Sequence, residues 1–77
     1  MTNSKDIGQI IRFHRRQARL SQIELADLAG IGKTAVFDLE KGKETVKLIT
    51  LQKVLSVLNI KLNLDSPLMA EYKKANE

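Results

Sequence analysis

The apolar positions of this chain change their period along its length, and the changes divide it into elements. Ile7, Ile11, His14 and Ala18 recur at intervals of four, three and four, with Ile10 widening the stripe, and predict a first helix over 5–18. Asn3 or Ser4 serves as its cap, and Asp6 stands in the first turn, where the helix dipole favours an acid. On this stripe His14 is expected at the edge of the core as a packed structural residue. The stretch from Gln22 to Lys41 predicts two short helices joined at a glycine. Ser21 and Glu24, three residues apart, have the spacing of a capping box, and Ile23, Leu25, Ala26 and Leu28 carry the apolar period behind it. Gly30 ends this helix, because a residue without a Cβ enters the left-handed region at little cost. Ile31, Val36 and Leu39 then resume the period on a new axis until Gly42 stops it. Leu48, Leu51, Leu55 and Leu58, flanked by Ile49 and Val54, predict a strongly apolar fourth helix that Asn59 closes.

At Ile60-Lys61-Leu62-Asn63-Leu64 the period drops to two, as in a half-buried strand. No second strand is predicted elsewhere in the sequence. The expectation is therefore that two copies pair across a two-fold axis through Ile60, Leu62 and Leu64; an arm lying on its own core is the alternative. Ser66-Pro67 forms a cap and first-turn pair, so a short helix over 68–75, or a frayed tail, follows. The organisation expected is a helix-turn-helix domain over 1–59, a dimerisation strand over 60–64 and a polar tail over 65–77. The fold class is all-α: a compact four- to five-helix domain with a short C-terminal β-strand pairing across a dimer.

Composition narrows the chemistry. The 77 residues hold no cysteine and one histidine, which leaves no thiolate metal site, thiol nucleophile or disulfide. No metal-ligand set, nucleophile with its base, or phosphate loop is visible, so neither an enzyme nor a cofactor is expected. No apolar run approaches the roughly 18 residues a membrane span needs, the polar start has no signal-peptide core, and an intracellular location is expected. The net charge of +4 is concentrated at the start, where Lys5, Arg12, Arg15, Arg16 and Arg19 face Asp6 alone. A basic first helix beside a helix-turn-helix fits phosphate neutralisation.

In a helix-turn-helix the second helix enters the major groove of DNA while the first bridges the backbone. The positions left outward at the start of the second helix are Gly32, Lys33, Thr34 and Phe37, the candidate base readers. Lys33 suits guanine O6 and N7, Thr34 a base edge or thymine methyl, and Phe37 a thymine methyl, unless Phe37 packs inward. Ser21 and Gln22 at the entry, Arg12 and Arg16 on the first helix, and Lys41 and Lys43 after the second are candidate backbone contacts. Arg15, on the inner edge of the first helix, and Glu40, at the end of the reading helix, are placed to form an ion pair that locks the two.

The residues Ile11 and Arg15, Leu20-Ser21-Gln22, Glu24-Leu25-Ala26, Ala29-Gly30-Ile31, Val36, Leu39-Glu40, Gly42, Leu51, Leu55 and Leu58 resemble the phage-repressor and Cro type of helix-turn-helix, the XRE family, over about residues 7–60. The resemblance implies a lambda-repressor-like fold, base reading through Lys33, Thr34 and Phe37, and the Arg15–Glu40 lock. Within the family, the ending Asp38-Leu39-Glu40-Lys41-Gly42-Lys43, the leucine-rich fourth helix and the alternating end are similar to HipB-type antitoxins. That resemblance implies a homodimeric, cytoplasmic and nucleoid-associated bacterial autorepressor that binds operator DNA and holds a HipA-like serine/threonine kinase toxin. A stand-alone phage or plasmid regulator, and a protein-interaction module that does not read DNA, are the alternatives. Two departures from the family pattern matter, at Arg19 and at Phe37-Asp38. Arg19 stands where glycine is usual, so the corner either takes another turn or holds a non-glycine in an unfavourable region. Phe37-Asp38 stands where small polar and basic residues are common, and Asp38 is expected to bond a neighbouring basic side chain.

Overall fold

A computed structural model describes residues 3–76. Five helices follow in order: α1 Ser4–Gln17, α2 Gln22–Ala29, α3 Lys33–Lys41, α4 Leu48–Val57 and α5 Met69–Ala75. The first two begin on reciprocal capping boxes. The Asn3 side chain accepts from the Asp6 N–H at 3.0 Å, and the Ser21 hydroxyl accepts from the Glu24 N–H at 3.0 Å while the Ser21 N–H donates to the Glu24 carboxylate at 2.9 Å. These bonds from Ser21, the backbone one foremost, hold the Glu24 carboxyl below its ordinary pKa.

Helices α1 to α4 end in one and the same way. The N–H of the second or third residue past each end reaches back to a carbonyl five residues earlier: Leu20 to Arg15 at 3.1 Å, Ile31 to Ala26 at 3.0 Å, Lys43 to Asp38 at 3.0 Å and Ile60 to Leu55 at 2.9 Å. This closure needs a left-handed residue in between. Gly30 (φ 69°), Gly42 (φ 83°) and Asn59 (φ 57°) supply it at three ends, and Arg19 (φ 59°) at the fourth. The corner before α2 thus takes the same left-handed turn with a non-glycine residue, at a cost of about 1–2 kcal/mol.

The core is small. Ile11, Leu25, Ala26, Val36, Leu39, Val54 and Leu55 are buried, and Ile7, Leu20, Ile31, Leu51 and Leu58 pack around them. The burying face of α1 differs from the expected stripe: His14 and Ala18 are exposed, Ile10 is 41% exposed, and Ile7, Gly8, Ile11 and Arg15 turn inward instead. His14 is no core residue; its Nδ1 lies 2.7 Å from the Ile10 carbonyl and its ring meets Phe13 edge-on. The reason is Gly8. A Cβ there would fall on the Leu39 carbonyl oxygen and within 2.8 Å of that of Glu40, so α1 and α3 approach backbone to backbone at this point and the contact face rotates toward residue 8.

The apolar period misplaces four other residues. Ile23 and Leu28 on α2 are 52% and 63% exposed, and Leu48 and Ile49 on α4 are 60% and 55% exposed. Burial on α2 falls instead to Leu25, Ala26 and partly Ala29, and on α4 to Val54 and Leu55. The expected strand over 60–64 is absent among the described residues, which hold no regular structure there. No backbone group of residues 61–65 finds a backbone partner among them, and a strand needs one. Ser66 accepts from the Leu68 N–H at 3.3 Å ahead of α5, which has no buried residue.

Gly8→Ala is expected to destabilise the fold by about 1–3 kcal/mol in spite of alanine's better helix propensity, because the new methyl meets backbone that cannot turn aside. Urea unfolding measures it, and a midpoint at or above that of the parent would show that α1 and α3 do not meet at residue 8.

Candidate nucleic-acid interface

Helix α3 presents its candidate readers to solvent. Gly32, Lys33 and Thr34 are exposed at its start, Phe37 is 46% exposed one turn on, and Val36 and Leu39 face the core. No side chain caps this helix, since Gly32 at the N-cap has none, so the first N–H groups of α3 are open to an outside acceptor. Phe37 does not pack inward. Its ring lies under the Lys41 ammonium, 4.9 Å from the centroid, a cation–π contact that braces the exposed face one turn apart. Asp38 bonds a basic neighbour, Lys43, at 3.4 Å.

What fixes α3 is a single carboxylate. Glu40 Oε2 accepts from Arg15 Nε at 2.6 Å, and its Oε1 accepts from Arg15 Nη2 at 3.0 Å and from Gln22 Nε2 at 3.3 Å. The third arm of the guanidinium, Nη1, donates to the Leu20 carbonyl at 2.8 Å. The pair is largely withdrawn from water, with side chains 11% and 5% exposed, and the Glu40 hydrogen bond, opposed by burial, holds the Arg15 guanidinium above its ordinary pKa. Residues of α1, α2, α3 and the first corner are therefore joined at one point. The part of Gln22 in this network had no signal in the sequence beyond its place at the entry of α2. Its bond to Glu40 uses one amide hydrogen and leaves the second hydrogen and the carbonyl oxygen for another partner.

The remaining candidates lie apart. Ser21 is engaged in its capping box, and Lys41 and Lys43 are exposed around the end of α3. Arg12 and Arg16 are exposed and, with Gln9, Phe13 and Gln17, line a shallow depression on the side of α1 away from Ile7, Gly8 and Ile11. Ile60 is partly buried against the core, whereas Leu62 and Leu64 are 51% and 80% exposed. Gly8 is the residue the periodicity missed; a glycine inside a helix, unfavourable there by about 1 kcal/mol, was the available sign of a close approach.

Two short helices joined at a left-handed glycine, with the second held by its inner face and open at its start, define a helix-turn-helix protein. The helix-turn-helix family profile matches residues 11–64. Among relatives, the HTH-type transcriptional regulator y4mF of Sinorhizobium fredii is 37% identical over 62 residues, covering 80% of this chain and 82% of its own. The ImmF control region 10 kDa protein of Bacillus phage phi105 is 30% identical over 63 residues, covering 82% of this chain and 70% of its own. Solved structures with the same fold include a HipB–O4 20mer complex and a HipA–HipB–O2–O3 complex. Each has a TM-score of 0.77 at 22% identity and covers 87% of this chain and 94% of that one. The chain belongs to the XRE-type helix-turn-helix family of DNA-binding transcriptional regulators.

Glu40→Ala is expected to cost about 3 kcal/mol, near the lower end for breaking a buried pair, because Arg15 is left charged and unpaired beside the core. Arg15→Met with Glu40→Leu should recover much of that loss, since both desolvated charges then go together. Urea unfolding of the two single variants and the double variant measures the coupling. Strictly additive losses would show that the pair does not act as a unit.

Proposed function

We propose that this protein is a homodimeric, sequence-specific repressor of its own operon and the antitoxin of a HipA-like serine/threonine kinase toxin, working in the bacterial cytoplasm on the nucleoid and catalysing no reaction. The observation that carries the DNA reading is the exposed, uncapped start of α3 set on a helix that Glu40 ties to Arg15 and Gln22. Gly32 lets the backbone approach a groove wall, Lys33 and Thr34 donate to base edges, and Phe37 meets thymine methyls with Lys41 braced against it. Ser21, Gln22, Lys41 and Lys43 flank that face and meet backbone phosphates. Arg12 and Arg16 belong to the side of α1 away from Gly8 and Ile11, and add to the positive field that draws DNA in.

The dimer rests on the unpaired backbone of residues 61–65 and the exposure of Leu62 and Leu64 beside an open groove lined by Gln52, Leu55, Ser56 and Asn59. Two copies pairing through Ile60, Leu62 and Leu64 would satisfy those backbone groups and place two reading helices on half-sites about one helical turn apart. The toxin partnership is supported by the fold shared with HipB in a HipA–HipB–O2–O3 complex. A stand-alone phage regulator is the second reading, favoured by the likeness to the phage phi105 control-region protein. A kinase-like reading frame next to this one separates the two.

Footprinting over the gene's own promoter is expected to protect an inverted repeat, and absent protection at low salt would leave only a role as a protein-interaction module. Lys33→Ala should weaken binding to that site by about 1–3 kcal/mol and relax one base position; equal losses on operator and random DNA would remove Lys33 from the base readers. Light scattering after size exclusion should give the mass of a dimer at micromolar concentration, and Leu62→Asp with Leu64→Asp the mass of a monomer. A monomeric parent protein at that concentration would end the dimer reading.

A further inference from the structure

Four helix ends of this chain use the same closure, and at three of them the left-handed residue is a glycine or an asparagine, the types that tolerate it. The fourth is Arg19, the end at which the strain is greatest for the side chain present. Nothing local repays it. Among the described residues the Arg19 side chain makes no hydrogen bond and no ion pair; the bonds at this corner are the backbone ones from Arg19 and Leu20, which glycine would make as well. Each nitrogen of the neighbouring Arg15 guanidinium already donates to Glu40 or to the Leu20 carbonyl, which holds that side chain inward rather than at the exposed corner. Arg19 is exposed, and Gln22 lies three positions further on, a stretch of at most about 11 Å. Strain held at a residue that its own fold does not use points to a use outside it.

We propose that Arg19 is a DNA-phosphate anchor, kept in a left-handed conformation at the α1–α2 corner so that its free guanidinium grips the backbone strand beside the entry of α2. This rests on the DNA reading above and adds to it a contact carried by a residue outside the reading helix. The conformation has a function in this account: residue 19 stands outside α1 in a left-handed corner, whereas Arg12 and Arg16 stand within the helix. The contact is to phosphate, so it holds the protein on any duplex sequence and contributes to affinity without selecting bases.

The test is salt-dependent binding of the full-length protein to two fluorescent duplexes, one carrying its own upstream region and one of random sequence, together with thermal unfolding. Arg19→Gly should bind both duplexes about 5- to 10-fold more weakly at 0.1 M salt and lower the slope of log K against log salt by about 0.9, the value for one phosphate contact. Its melting temperature should stay level or rise, because the strain is relieved. Arg19→Asn, which repeats the residue type that closes α4 at Asn59, should show the same loss of affinity and slope, and Arg19→Lys should restore both. Unchanged affinity and slope in Arg19→Gly would overturn the proposal, as would Arg19→Lys behaving like Arg19→Gly. A parent protein that binds neither duplex would overturn the DNA reading itself, an outcome distinct from a parent that binds and a variant that binds equally well.

Discussion

The carboxylate of Glu40 is the constraint on which the arrangement depends. It accepts from Arg15 twice and from Gln22 once, and Arg15 passes the connection on to the Leu20 carbonyl. A seven-residue core in a chain this short buries too little to fix three helix axes by contact alone, since apolar contact is non-directional. A forked guanidinium on a carboxylate is directional. Its net contribution to stability is small once desolvation is counted, and its value lies in allowing only one orientation of α3 against α1. Gly8 works with it: the backbone contact at residue 8 sets how near the two helices come, and the ion pair two turns further along α1 sets how they are rotated.

Much of this was legible in the sequence, because caps and stops are local chemistry. Asn3, Ser21 with Glu24, Gly30, Gly42 and Asn59 mark helix ends through bonds spanning three to five residues, and all five appear where their residue types imply. The facing of α1 was less legible. His14 and Gly8 lie on opposite flanks of the Ile7–Ile11 line, and periodicity alone favours the bulkier side chain as the inward one. The glycine wins because the partner at that point is a backbone, not a side chain, and nothing in the local pattern records what α1 meets. Leu48 and Ile49 show the same limit: they open an apolar helix, but the core lies along its second half, at Val54 and Leu55. The alternating run over 60–64 was legible as a pattern yet has no strand to join within the described residues, and whether it becomes one depends on a second chain.

The exposed apolar residues are not spread evenly. Leu62, Leu64, Leu68 and Tyr72 follow one another along the segment after α4, each at least half exposed, in a stretch whose described residues add only Leu58 and Ile60, at its very start, to the core cluster. Scattered surface leucines are ordinary, but a run of them beside unpaired backbone is a surface that water serves poorly on both counts. Proteins avoid leaving such edges open, and pairing is the most economical cover.

Charge is distributed unevenly between α1 and α3. Of the three lysines on and just after α3, Lys41 leans on Phe37 and Lys43 on Asp38, which leaves Lys33 as the one cation there with neither contact among the described residues. The outward face of α3 is thus shaped more by apolar contact than by free charge, with Asp38 adding an acid beside it. The arginines other than Arg15, namely Arg12, Arg16 and Arg19, stand exposed on α1 and at its end with no ion pair among the described residues. On the DNA reading proposed above, a field placed there would draw in any duplex, and a face nearly neutral in charge would accept a groove that fits Thr34 and Phe37. Holding the two functions on different helices makes the join between those helices the element that sets register. That returns the weight to Glu40, whose three hydrogen bonds keep the face that selects in a fixed position relative to the residues that attract.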